Sequence, residues 1–261
     1  MMFKDKVVAI TGAAGGIGQS LCRYFAGEGA LIAAIDKSAS VEDFATELAS
    51  EGISISHAVA DVGDAEAIAA AFRRLAKALG AVDVLVNNAG FSEHPTFART
   101  DPAAWNHDVN GNLNGAYYCA HAVLPGMKEK NAGSIVAIGS VNGLSGFGDP
   151  AYSAAKAGLI SLTRSLAMEY GKHGIRANIV LPGTVRTPLW ERKAGKDSKV
   201  LDELRRWYPL RRIVEPIDVA RAVGFLASDN AAAITGASLV VDCGLTAGNI
   251  VMTRELTLQD I

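Results

Sequence analysis

The sequence predicts an α/β fold, a doubly wound parallel sheet of seven strands with helices on both faces. Three observations predict it. Short, nearly continuous apolar runs rich in Val, Ile and Ala alternate with longer stretches of helical periodicity, the rhythm of βαβ units whose strands are buried on both faces. The connections between these runs are short, as parallel crossover units require. A glycine-rich turn follows the first run directly.

In chain order, Lys6–Thr11 is the first strand and Ile17–Glu28 the first helix. Ala30–Ile35 with Val41–Glu51, and Ile53–Ala58 with Asp64–Leu79, repeat the pair. Val82–Asn87 leads into a long helical pattern over Pro102–Lys130. Ser134–Gly139 leads into Ala151–His173, and Arg176–Leu181 into Pro216–Ser228, before a last strand at Ala237–Val241. No linker, repeat or low-complexity stretch divides the chain, so residues 1–261 read as one domain. The one interruption is Arg186–Arg212, whose size and place between strand and helix predict a lid over the carboxyl edge of the sheet. Its nine cations and four anions leave +5 on the segment and −7 on the remainder. The tail Asn249–Ile261 is apolar enough to pack on another subunit.

Composition narrows the function classes. Hydrophobic residues make up 49% and charged residues 20%, a globular balance. The net charge of −2 supplies no general attraction for nucleic acid or an anionic membrane. The three cysteines, Cys22, Cys119 and Cys243, are too far apart for a disulfide framework or a thiolate metal site. The five histidines show no ligand spacing, and no metal is expected. The first residues turn glycine-rich before any signal-peptide core develops, and no apolar run reaches spanning length. A cytoplasmic protein with a small-molecule substrate, and neither nucleic acid nor membrane as partner, is the expectation.

Thr11-Gly12-Ala13-Ala14-Gly15-Gly16-Ile17-Gly18 closes the first strand and opens the first helix. Gly12, Gly15, Gly16, Ile17 and Gly18 there allow a tight turn and let backbone N–H groups approach a pyrophosphate. The spacing is G-x3-G-x-G rather than the commoner G-x-G-x-x-G, and an ordinary glycine turn is the competing reading. Asp36 ends the second strand, 18 residues after Gly18. A carboxylate at that place accepts from both ribose hydroxyls and repels a 2′-phosphate, which favours NAD over NADP. Lys37 beside it works against that preference, since a cation accommodates a phosphate.

Asn87-Asn88-Ala89-Gly90 ends the fourth strand, and Tyr152-Ser153-Ala154-Ala155-Lys156 opens a long helix downstream of Ser140. With the glycine loop and Asp36, these motifs make the whole chain resemble the short-chain dehydrogenase/reductase family, in that family's order from residue 11 to 188. The resemblance implies a Rossmann fold and hydride transfer to or from a nicotinamide cofactor. It says little about substrate.

The residues themselves support that chemistry. A tyrosine with pKa near ~10 is a poor base at neutral pH. Tyr152 and Lys156 stand at i and i+4 on one helix face, and the Lys156 ammonium is expected to favour the phenolate, with an oxidised nicotinamide adding a second positive charge. Tyr152 then takes the alcohol proton as hydride leaves carbon. Ser140 hydrogen-bonds the substrate oxygen, and Lys156 also reaches ribose hydroxyls. The family has an Asn in the preceding helix, in a segment like W-x6-N-L-x-G. Counting from Trp105 selects Asn112 rather than Asn110, and Asn112 is implied to support a water joined to Lys156. Gly111 departs from the bulky residue of the pattern. Glycine costs a helix about 1 kcal/mol, and a local kink is expected there.

The same resemblance implies that Asp61 and Val62 line the adenine pocket. It places Asn88, Ala89 and Gly90 along the adenosine ribose, and Pro182, Gly183, Val185 and Thr187 against the nicotinamide amide. It also implies a homotetramer, with the Pro102–Lys130 and Ala151–His173 helices at one interface. Around the reacting carbon stand Phe91–Thr96, Val141–Phe147 and the lid. The substrate candidates are His94, Asn142, Arg186, Trp190 and Arg192. The lid's cations, with Trp190, Trp207 and Tyr208 interleaved, suit a carboxylate, phosphate or sulfonate. The alternative is a solvated lid whose cations face water. His94 is either a partner for a substrate hydroxyl or a solvated loop histidine.

The leading reading is an NAD-dependent dehydrogenase of a secondary alcohol, on a sugar or polyol, with or without an anionic group. A 3-oxoacyl-thioester reductase using NADPH is the alternative within enzymes, and Asp36 argues against it. A non-catalytic NAD-sensing regulatory protein is the alternative of another class.

Overall fold

The computed structural model describes residues 1–188 and 200–259, residues 200–202 as backbone only. Among them, strands β1 (Val7–Thr11), β2 (Leu31–Asp36), β3 (Ile55–Val59), β4 (Val84–Asn87), β5 (Gly133–Ile138), β6 (Ile175–Pro182) and β7 (Ser238–Val241) form one parallel sheet. Its order is β3-β2-β1-β4-β5-β6-β7. The order reverses between β1 and β4, and a crevice opens at the carboxyl ends of the strands there. The predicted doubly wound seven-stranded sheet is therefore the observed one.

Alternation along each strand sends side chains to two cores. Val8 and Ile10 of β1, with Ile32 and Ala34 of β2, meet Leu21 and Phe25 of α1 (Gly16–Gly27), Leu48 of α2 (Ser40–Ser50) and Val219 and Val223 of a later helix, Pro216–Ala227. On the other face, Ala9, Ala33 and Leu85 meet Ile68, Phe72 and Leu75 of α3 (Ala65–Leu79) and Cys119, Val123 and Met127 of a helix after β4. Burying one Leu or Phe contributes about 1.5–3 kcal/mol, so continuous apolar strands are what a sheet covered on both sides needs.

The long helical pattern after β4 is broken where the sequence places a kink. Helix α4 (Pro102–Val109) passes through a π turn at Asn110–Asn114 into α5 (Gly115–Lys130). Helix α6 (Pro150–Tyr170) follows β5, and a short α7 (Val200–Arg205) lies in the lid segment. Helix α8 (Pro216–Ala227) is tied to β6 by Arg176, whose guanidinium donates to the carbonyls of Leu226, Ala227 and Ser228, the orphan acceptors of a helix C-terminus. The tail carries α9 (Ile250–Thr257), with Leu256 and Met252 exposed. No helix among the described residues is long and apolar enough to cross a membrane.

Candidate active site

The glycine loop is held in a shape that leaves the start of α1 open. Gly12 has φ +64°, and a Cβ there would stand 2.9 Å from Cα of Ala89, so only glycine serves at this turn. Helix α1 begins at Gly16 with Gly15 as its N-cap and no side-chain cap. Its first N–H groups are thus available to an anion. Thr11 and Asn88, from the ends of β1 and β4, lock the loop. The Thr11 hydroxyl accepts from the N–H groups of Asn88 and Ala89, and Asn88 Nδ2 donates to the carbonyls of Thr11 and Gly12. The Asn88 side chain is thus committed to the loop, which leaves its backbone, with Ala89 and Gly90, to run along the place expected for the adenosine ribose. Thr11 is the residue the motif reading passed over. Thr187 and Pro188 lie against Gly16, where a Cβ would meet Pro188 Cδ at 2.9 Å.

Asp36 stands beside this loop because β1 and β2 are paired with Thr11 opposite Ile35. Its Oδ2 accepts from the Ala14 N–H and its Oδ1 from the Ser38 N–H, each at 2.9 Å. Both oxygens retain lone pairs for ribose hydroxyls. Lys37 Nζ lies 4.7 Å from the centre of the Phe91 ring, and Phe91 stacks at 4.8 Å on His107. Asp61 Oδ1 accepts from the Gly63 N–H, and Val62 packs on Gly115. The uncapped helix start, the carboxylate beside it and the glycine cradle fit a dinucleotide.

Four predicted residues converge at the far side of the crevice. Lys156 is 3% exposed, and its Nζ donates to the Ile138 carbonyl at 2.8 Å. A Cβ on Gly90 would stand 3.1 Å from Lys156 Nζ and 2.7 Å from Asn112 Oδ1, so Lys156 and Asn112 close on the same point. The Asn112 amide donates to the carbonyls of Phe91 and Asp108 and accepts from the Phe91 N–H. Asn110 points elsewhere, its Nδ2 donating to the Gly63 carbonyl. At Gly111 the reason for glycine is Phe91, whose ring edge would stand 2.4 Å from a Cβ.

Tyr152 sits half-buried one turn before Lys156, with Lys156 Nζ 5.4 Å from its ring centre. Burial pushes the phenol above its ordinary pKa, against a hydrogen bond with Ser140 that pulls it down and the Asp149 charge that pushes it further up. Lys156 is itself lowered from 10.5 to about 8 by desolvation. In the chain alone, the Ser140 hydrogen bond eases the phenol toward its ionised form, against the larger effect of burial.

The substrate candidates fare unevenly. Asn142 Oδ1 accepts from Ser140 Oγ, and its Nδ2 donates to Ser153 Oγ, so its side chain steadies Ser140 against α6. Arg186 Nε donates to Glu215 Oε1 at 2.9 Å, and its charge is already met at the base of the lid. Tyr208, expected among the lid aromatics, is 2% exposed, and its hydroxyl accepts from the Thr184 N–H. Together with a bridge between Val185 and Val214, it pins the Pro182–Thr187 segment. Trp190 and Arg192 lie outside the described residues. His94 Nδ1 lies 3.4 Å from Asp108 Oδ2. Among the described residues no three His, Cys, Asp or Glu side chains gather as a metal site.

A family model described as enoyl-(acyl carrier protein) reductase matches residues 12–246. An uncharacterized oxidoreductase of Schizosaccharomyces pombe is 44% identical over 259 residues, covering 98% of this chain and 96% of its own. A solved oxidoreductase of the short chain dehydrogenase/reductase family from Burkholderia thailandensis is 47% identical, with a TM-score of 0.92 over 98% of both chains. A gluconate 5-dehydrogenase from Burkholderia cenocepacia, solved with NADP and tartrate, is 31% identical with a TM-score of 0.88, over 94% of this chain and 97% of that one.

Proposed function

The chain belongs to the short-chain dehydrogenase/reductase family, and from that premise we propose that it is an NAD-preferring dehydrogenase of a secondary alcohol on a sugar or polyol, with or without an anionic group. One observation carries the reading. Lys156 is an ammonium buried among the described residues with no carboxylate partner, one helical turn behind Tyr152. Burying an uncompensated cation is expensive, and its place beside a general acid–base candidate gives the expense a purpose.

Bound in the crevice, a nicotinamide dinucleotide supplies the hydride acceptor or donor. Gly16–Gly18 at the start of α1 are the donors for its pyrophosphate, and Asp36 is the acceptor for its ribose hydroxyls. The Asp36 charge supports the NAD preference, against which stands Lys37, exposed beside it and resting over the Phe91 ring. On substrate binding Ser140 turns its one hydroxyl proton from Asn142 Oδ1 to the substrate oxygen, which it holds beside the Tyr152 hydroxyl. Burial holds the Tyr152 phenol protonated, so it has a proton to supply to a carbonyl oxygen. In the oxidative direction it must first be ionised, and the positive charges of Lys156 and the oxidised ring favour that. Asn112 holds the Phe91 backbone and the π turn so that the helix approaches Lys156.

The test is reduced-cofactor absorbance with NAD and NADP across neutral sugars and polyols and their carboxylated and phosphorylated counterparts. Turnover with NAD in excess of NADP is expected. No turnover of any alcohol or ketone with either cofactor would overturn the reading and favour a nucleotide sensor. The matched family description favours one second reading, a 3-oxoacyl-thioester reductase. Rates higher with NADPH and an acetoacetyl thioester than with any polyol would establish it.

A further inference from the structure

Asp108 is the most costly side chain near the site that the mechanism does not use. It is 1% exposed, and its Oδ1 is one of three buried side-chain polar atoms without a partner among the described residues. A buried carboxylate with half of its acceptors idle destabilises a fold that an apolar side chain would serve better. What it does engage is His94, through Oδ2.

The segment that carries His94 is pinned at both ends to the catalytic helices. At one end the N–H and carbonyl of Phe91 both bond the Asn112 side chain. At the other, the Pro95 carbonyl accepts from the Asp149 N–H at the head of the helix that bears Tyr152. The backbone on either side of His94 is therefore tied to Asn112 and to the head of the helix that bears Tyr152. The His94 side chain is 27% exposed, and Nε2 has no partner among the described residues.

We propose, resting on the dehydrogenase reading above, that His94 recognises a second hydroxyl of the substrate and that Asp108 is the positioning residue that makes it an acceptor. A carboxylate can only accept, so it takes the Nδ1–H and leaves the lone pair of a neutral ring on Nε2. An Nε2 acceptor in the crevice takes the O–H of a polyol. A substrate with a single hydroxyl leaves it unpaired, and sites built around a substrate hydroxyl discriminate strongly against analogues that lack it.

The test compares 2,3-butanediol and 1,3-butanediol with 2-butanol in wild type, Asp108→Asn and His94→Phe. An asparagine can donate to Nδ1, which moves the ring proton to Nε2 and turns the acceptor into a donor. Both variants are expected to lose about 10- to 100-fold in kcat/KM on the preferred diol, through KM, and to change 2-butanol by less than about threefold. Nitrogen NMR of histidine-labelled protein gives a readout independent of turnover. The signal absent from His94→Phe should report Nδ1–H in wild type and Nε2–H in Asp108→Asn. An Nε2–H tautomer in wild type, or equal losses on diol and mono-alcohol, would overturn the proposal. A wild type that oxidises no alcohol would sink the dehydrogenase reading and the substrate half of the proposal, while the tautomer still decides the role of Asp108.

Discussion

Lys156 donates to the carbonyl oxygen of Ile138 at 2.8 Å, and this neutral acceptor is the hydrogen-bond partner of an ammonium almost wholly removed from solvent. The contact joins the end of β5 to the helix that carries Tyr152, so the same bond that fixes the ammonium also fixes the edge of the crevice.

A pH dependence of stability follows. Desolvation lowers Lys156 from 10.5 to about 8, so between those values the unfolded chain holds the extra proton. Stability contributed at this site rises with pH across that window and is at its minimum below about pH 8. Urea unfolding should show wild type gaining about 3 kcal/mol relative to Lys156→Met between pH 7 and pH 10.5. Parallel stability curves for the two proteins would refute the burial of the charge.

Asn112 makes three backbone bonds, to Phe91 twice and to Asp108. Asn112→Ala should destabilise the protein by about 2–4 kcal/mol, because buried partners are left unpaired. A Tm drop of roughly 10 °C is the readout. Asn110→Ala, which loses two partly buried bonds, to the Gly63 carbonyl and from Asn114, should cost less.

Gly111→Ala tests the packing of Phe91 against helix propensity. Alanine is the better helix former by about 1 kcal/mol, yet its Cβ would stand 2.4 Å from the Phe91 ring. Overpacking of this kind costs about 1–3 kcal/mol. The variant should therefore be less stable than wild type by thermal melting, and Phe91→Leu in the same chain should restore it. A Gly111→Ala protein more stable than wild type would show that the ring yields freely.

Much of this was legible in the sequence, for reasons of range. The glycine loop, Asp36 and the Tyr152–Lys156 pair are local patterns, and counting from Trp105 separates Asn112 from Asn110. The apolar runs are one-dimensional records of a sheet buried on both sides. What could not be read is how long-range partners engage a side chain. Arg186 has the residue type for an anion site, but Glu215 lies 29 positions away in the chain and meets it in space. Tyr208 reads as a lid aromatic until Thr184 and the core enclose it. The kink near Gly111 was expected from propensity, whereas the ring that demands the glycine comes from another segment.

Cofactor choice gives a further prediction. Asp36→Ala removes the charge that disfavours a 2′-phosphate, and it also frees the N–H groups of Ala14 and Ser38 to bind one. The ratio of kcat/KM with NAD to that with NADP should fall by at least about tenfold. An unchanged ratio would remove Asp36 from the discrimination.

In the proposed mechanism the Tyr152 phenol transfers the proton in a site assembled by Ser140, Lys156 and Asn112. Tyr152→Phe keeps the ring and deletes only the hydroxyl, so its steady-state turnover beside its cofactor affinity isolates the proton transfer. A kcat lower by about 10²- to 10⁴-fold, with cofactor affinity within about threefold of wild type, is the expected result. Turnover within a factor of three of wild type would contradict it.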